Sequence, residues 1–335
     1  SYDLTNWETL TYVYDILDNT PGQRLEDNVG IYGKGMWAAT LRYHKGTFYV
    51  IFVANDTGKT YLYQSENIMG PWRKSYIEGF YHDCSLLFDD DDRAYLVYGN
   101  SELHLTELKP DLSGPKPGGL DRIIIKEQGN PFLNYEGSHL YKINGKYYLF
   151  LIHSRPDRWR RVEACFVADS LEGEFRGGDV FDDDMGFFDA GVAQGGIVDT
   201  PDGEWYAILF QDHGAVGRIP VLVPVRWEEG KELPVFGIDG KAPCEITVKS
   251  TRPDHVYEPL YTSDDFNYTP DADGKVRLKK VWQWNHTPIE GLWSVTERPG
   301  AYRIRSGKIS PNMVLAANTL TQRMMGPACE GIVTV

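Results

Sequence analysis

The sequence predicts an all-β chain built mainly as a β-propeller, and three observations carry that reading. Aromatic residues reach 13% of the 335, with 21 Tyr and 9 Trp among them, a bias toward pleated, half-buried strands. The 34 Gly and 19 Pro supply many tight turns. One unit also recurs four times: an apolar strand, a turn with Gly, Asp or Asn, then a strand with paired aromatics.

In order, the copies are MWAATLRYHKGTFYVIF, ending at Phe52, and HDCSLLFDDDDRAYLVY, ending at Tyr98. YEGSHLYKINGKYYLFL ends at Leu151, and VAQGGIVDTPDGEWYAILF at Phe210. Anchored on Tyr49, Tyr95, Tyr148 and Tyr206, the intervals are 46, 53 and 58 residues. That is close to the roughly 40–50 residues of a propeller blade. A closing turn at Ser65–Trp72 has a similar partner at Asp169–Phe175, and Tyr2–Trp7 reads as the same turn. Trp72 follows Tyr49 by 23 residues, so the anchor matching Trp7 is expected ahead of Ser1. Four complete units and one truncated first unit make a five-bladed β-propeller.

Charge and apolar patterning narrow the function. With 34 basic and 48 acidic residues the net charge is −14, which repels phosphate backbones and argues against nucleic acid as a partner. No apolar run approaches the length of a membrane span. Cys84, Cys165, Cys244 and Cys329 show no zinc spacing and read as buried small hydrophobes. Ser1 opens directly on strand and turn without a signal peptide; an extracellular or periplasmic setting is favoured over a cytoplasmic one.

Twelve residues before each anchor stand Trp37, Asp83, Glu136 and Gln194. In a propeller the first strand of each blade lines the channel, so matching positions converge. Asp83 and Glu136 also fall out of phase with apolar or ring-bearing neighbours such as Leu86 and Tyr141. One reading has the two acids opening their strands in solvent. The other places two carboxyls in an aromatic-walled pocket, where each displaces the other's pKa and one stays protonated. That arrangement suits glycoside hydrolysis.

Other segments carry weaker signals. Asp89–Asp92 and Asp182–Asp184 read as solvated turns rather than calcium sites. Gln211–Arg218 (QDHGAVGR) offers His213 and Arg218 to the pocket, with ordinary loop structure equally open. Arg155–Arg161 (RPDRWRR) reads as a rim loop at this net charge.

On the four quoted repeats and YDLTNWE, spanning residues 1 to about 230, the sequence resembles glycoside hydrolase family 43. Residues 262–335 resemble the concanavalin-like β-sandwich that often follows in that family, through DDFNY and WQWNHTPIEGLWSVTERPGAYRI, and read as incomplete. The resulting division is a propeller over 1–245, a linker over 246–261 and the sandwich over 262–335. The resemblance implies an inverting mechanism with Glu136 as general acid and Asp83 as the aspartate that orients it and adjusts its pKa. The general base is expected upstream of Ser1. It further implies that Arg218 binds substrate and that Trp37 walls the sugar subsite. Gln194 stands where many members carry a histidine near a central calcium or water cluster, so no metal is assigned and no cofactor is required.

The implied activity is exo-acting release of terminal xylose or arabinofuranose from a pentose-containing oligosaccharide or polysaccharide, with both sugars left open. The alternative is a carbohydrate-binding propeller without catalysis. A protein scaffold is disfavoured by the cost of burying paired carboxyls.

Overall fold

The computed structural model describes every residue except Ile16, Gln128 and Pro327. Four antiparallel sheets of four strands follow one another, each an up-and-down meander in chain order. The first blade holds β1 (Thr40–His44), β2 (Thr47–Ala54), β3 (Lys59–Ser65) and β4 (Arg73–Ile77). The second holds β5 (Ser85–Phe88), β6 (Ala94–Tyr98), β7 (Glu102–Glu107) and β8 (Asp121–Lys126). In the third are β9 (Glu136–Ile143), β10 (Lys146–Ser154), β11 (Arg161–Ala168) and β12 (Arg176–Phe181). The fourth comprises β13 (Ala193–Asp199), β14 (Trp205–Asp212), β15 (Arg218–Arg226) and β16 (Val235–Phe236). First strands of successive blades neighbour one another, β1 with β5, β5 with β9, and β9 with β13, which is the propeller arrangement.

The anchor tyrosines lie on the second strands, and alternation explains why those strands are apolar on both faces. Tyr147, Leu149 and Leu151 of β10 join Tyr95, Val97 and Leu105 in the core between the second and third blades. Tyr148 and Phe150, one residue out of phase, join Ala207, Leu209 and Val223 between the third and fourth. Ile51, Leu62, Leu86 and Leu96 do the same between the first and second. Two-residue hairpins close β1–β2 at Lys45–Gly46 and β9–β10 at Asn144–Gly145, all four residues at positive φ.

Two acidic turns depart from the solvated reading. Asp89 is buried and accepts from Lys142 Nζ at 2.5 Å and Tyr147 Oη at 2.6 Å, tying the second blade to the third. Asp183 is also buried and accepts from Lys241 Nζ and the Ala242 amide, both at 2.9 Å. Both are acids with a cation and a second donor supplied by distant chain, which an acid count along the sequence does not reveal. All four cysteines are free; Cys84 and Cys165 are buried in strands or beside them, while Cys244 and Cys329 lie exposed in strand-free segments, contrary to expectation.

The chain divides into two compact units. One contains residues 3–5 and 36–253; the other groups 1–2, 6–35 and 254–335, so the segment 6–35, expected with the propeller, clusters with the C-terminal residues. The second unit contains strands of the C-terminal β-sandwich: β17 (Gln283–Trp284) pairs with β20 (Leu320–Thr321), and β18 (Trp293–Ser294) with β19 (Arg303–Ile304). Stacked Phe266 and Trp282, 5.6 Å between centroids, join Trp284, Trp293 and Tyr302 in its aromatic cluster. Among the described residues no helix is long and apolar enough to cross a membrane.

Candidate active site

Relative to their hairpin loops, the inner strands present residues at two levels of the channel. The β5–β6 and β13–β14 loops carry three residues, 90–92 and 201–203, against two in the first and third blades. Eight residues before the loops stand Trp37 and His82, just ahead of β1 and β5, and Glu136 and Ala193, the first residues of β9 and β13. One residue later stand Asp83, Gly137 and Gln194, all in the left-handed region with φ of 46°, 67° and 58°. The equal chain distances of Trp37, Asp83, Glu136 and Gln194 therefore mix two levels, because loop length differs by one residue between blades.

The levels touch in order. Trp37 meets the His82 ring edge-on with centroids 5.4 Å apart, and His82 Nε2 lies 3.3 Å from Glu136 Oε2. Asn100 Nδ2, past the end of β6, donates to the same Glu136 oxygen at 2.5 Å. On the deeper level Gln194 Nε2 donates to Asp83 Oδ2 at 3.4 Å. A Cβ on Gly137 would stand 2.7 Å from Gln194 Nε2, so only glycine lets that amide pass toward Asp83. Asp83 Oδ2 is 3.7 Å from His82 Nε2, and one atom each of His82, Asp83 and Glu136 lie within 4.8 Å of one another.

Burial separates the two acids. Asp83 is 7% exposed and burial pushes its carboxyl upward, with the Glu136 charge adding to it; His82, Gln194 and Arg218 oppose the shift. Glu136 keeps 18% of its side chain accessible, enough to meet a ligand in the channel. The bond to Glu136 raises His82 above its ordinary value, and the Asp83 charge acts the same way.

His82 and Asn100 are the site residues that the sequence reading missed. His82 opens the quoted HDCSLLFDDDDRAYLVY stretch and Asn100 lies two residues past it, but regular alternation points His82 away from Asp83. The left-handed backbone at Asp83 cancels that alternation.

The remaining expected residues lie on the rim. Arg218 stacks over Phe210 at 4.2 Å from its centroid, with Nε 3.4 Å from Asp212 Oδ1. His213 is turned onto its own loop: Nε2 is 2.8 Å from Gln211 Oε1, and the ring stacks on Phe187 at 4.0 Å.

Two sets of donors are candidates for a cation. His82, Asp83 and Glu136 offer one imidazole nitrogen and two carboxylate oxygens. Deeper, Asp83 Oδ1, Ser138 Oγ and His139 Nδ1 are buried without a hydrogen-bond partner. Calcium takes six to eight oxygens. The deeper set supplies two, so most of its ligands would be water.

A propeller whose inner strands set an accessible carboxyl beside a buried one has the groups that general acid chemistry needs. The family model for glycosyl hydrolases family 43 matches residues 1–231, and the chain belongs to that family. Residues 271–335 match the beta xylosidase C-terminal concanavalin A-like domain. Similar proteins include a beta-xylosidase of Formosa agariphila, 26% identical over 97% of this chain and 62% of that protein. A non-reducing end alpha-L-arabinofuranosidase of Bacteroides ovatus is 26% identical over 92% of this chain and 58% of its own length. A solved structure of a bifunctional GH43-CE protein of Bacteroides eggerthii superposes with a TM-score of 0.87 at 45% identity, covering 98% of this chain and 41% of that one. The chain thus spans less than two thirds of the length of these relatives.

Proposed function

We propose that this chain carries the proton-donating site of an exo-acting, inverting glycosidase that releases terminal xylose or arabinofuranose from a pentose-containing oligosaccharide or side chain. The observation that carries the reading is the accessible Glu136 carboxyl set against the buried, upward-shifted Asp83. Glu136 is the general acid: its oxygen faces the channel and can reach a glycosidic oxygen. Asp83 tunes and orients it. As a nucleophile or base Asp83 would have to be ionised and reachable, and burial opposes both.

Water is activated by an aspartate on the first strand of a fifth blade beside the first; family membership supports both that blade and that base. Trp37 walls the sugar subsite, and Arg218 holds sugar hydroxyls at the rim. The names of the relatives support pentose as the released sugar and leave the choice between the two pentoses to assay.

Glu136→Gln tests the assignment. The amide keeps shape but donates no proton in this role, so hydrolysis of natural glycosides should fall about 10²–10⁴-fold while an activated aryl pentoside is partly spared. Equal loss on both substrates removes Glu136 from the acid role. Retained oligosaccharide binding with no turnover by the unaltered enzyme would favour the binding-only alternative.

A further inference from the structure

We propose that Trp159 and Phe132 form a stacking platform for the leaving-group side of the glycan, the sugar rings beyond the one released; this rests on the glycosidase reading above. The platform belongs to the RPDRWRR loop, whose arginines the proposed chemistry leaves unused. The loop follows β10, and Ile152 of β10 pairs with Glu136, so loop and acid rise from the same end of the third blade.

The arginines of this loop are engaged with carboxylates and make no anion-binding patch. Arg155 Nη1 lies 2.7 Å from Asp182, Arg158 Nε 2.8 Å from Asp189, and Arg160 Nη1 2.7 Å from Asp189. They fasten the loop to the segment that leads into β13. What the fastened loop presents is an indole: Trp159 is 52% exposed, edge-to-face with Phe132, itself 42% exposed, at 6.4 Å. Two exposed rings held edge to face offer a flat apolar surface to a ligand.

A row of cation–ring contacts runs from the platform to Arg218. Arg161 lies 5.5 Å from the centre of the Trp159 ring and 5.6 Å from that of Phe210. Phe210 is also the ring beneath Arg218, whose charge reaches Asp83. An exo-acting enzyme holds the terminal sugar in the channel, and the rest of the glycan must leave over this rim. A sugar ring fits the mixed chemistry there, C–H faces on the rings and hydroxyls on the flanking carboxylates and guanidinium groups.

Kinetics on two substrates test the platform: a pentosyl fluoride, whose leaving group is a single atom, and a series of pentose oligosaccharides. Trp159→Ala should lower kcat/KM on the oligosaccharides about five- to tenfold, the size of a lost stacking contact, and leave the fluoride rate unchanged. Trp159→Phe should restore most of the loss. Unchanged oligosaccharide kinetics would overturn the platform, and so would an equal loss on the fluoride, which marks a structural role. If the unaltered enzyme turned over neither substrate, the glycosidase reading itself would fall, and the platform with it.

Discussion

His82 and Asp83 are consecutive in the chain, yet their side chains meet: His82 Nε2 lies 3.7 Å from Asp83 Oδ2. Neighbours on a regular strand point to opposite faces. The φ of 46° at Asp83 breaks the alternation just before β5 and turns both toward Glu136. A histidine and two acids thereby share one proton-handling cluster, in which charge on any member alters the others.

His82→Gln should extend activity toward alkaline pH. A cation beside a carboxyl favours the carboxylate, and His82 Nε2 stands 3.3 Å from Glu136 Oε2, so the variant takes that cation away from the acid. The alkaline limb of the kcat profile should move up by about one pH unit. Stability gives an independent reading. The folded-state value of His82 is raised, so its contribution is full below the ordinary histidine range and is lost as pH rises through the folded value. The variant should lose more melting temperature at pH 6 than at pH 9. A fixed alkaline limb would show that His82 does not act on the acid.

Asp83→Asn should move the same limb the other way. Above its raised value Asp83 carries a negative charge beside Glu136; the amide never does, so turnover falls at high pH first. Burial raises Asp83 in the folded state, so folding holds a proton that the unfolded chain has already released. Stability of the unaltered protein therefore declines as pH rises from the ordinary carboxylate value through the raised one. The amide lacks that slope. A variant that melts higher at neutral pH and turns over more slowly meets both expectations; a lower melting temperature together with an unmoved limb refutes them.

Glu163→Gln isolates the burial effect from catalysis. Glu163 on β11 is 1% exposed, and its Oε2 accepts from the Gln194 backbone N–H at 2.7 Å. Burial pushes its carboxyl well above the ordinary range. The same sign applies: the unaltered protein loses stability as pH climbs above the unfolded glutamate value, and the glutamine variant does not. Melting temperatures at pH 5, 7 and 9 should show the variant gaining on the unaltered protein at each step. A gap that stays constant with pH would mean that Glu163 is ionised in the fold.

Much of this architecture was legible in the chain because blades are local. Each repeat unit names its own strands, and Tyr49, Tyr95, Tyr148 and Tyr206 fall on β2, β6, β10 and β14. Asp83 and Glu136 come near each other because the inner strands of neighbouring blades converge, although the two stand on different levels. What escaped is what depends on one residue of phase. A three-residue loop at 90–92 in place of two slides Asp83 past the level of Glu136 and puts His82 there. Left-handed backbone at Asp83 and Gln194 has no glycine to announce it. Asp89 and Asp183 were misread because their partners, Lys142 and Lys241, come from far along the chain.

Arg218→Ala should damage catalysis while leaving the fold nearly intact. The side chain is half exposed, its Nε 3.4 Å from Asp212, and an ion pair of that kind contributes little to stability. Stacking on Phe210 at 4.2 Å holds the guanidinium flat, and a planar fork of donors suits adjacent sugar hydroxyls. Its charge also reaches Asp83 and holds that carboxyl lower than burial alone would set it. If the bonds to sugar tighten as the ring distorts, the loss falls on kcat as well as on KM. Unmade charged hydrogen bonds cost about 1.5–3 kcal/mol, or roughly 10- to 100-fold in kcat/KM. The opposing account makes Arg218 a brace for the loop between Asp212 and its own strand, in which case melting falls and the rate of the folded fraction stays normal. Melting temperature and single-turnover rate on one preparation separate the two, and a lowered melting temperature with an unaltered rate would end the substrate-binding role.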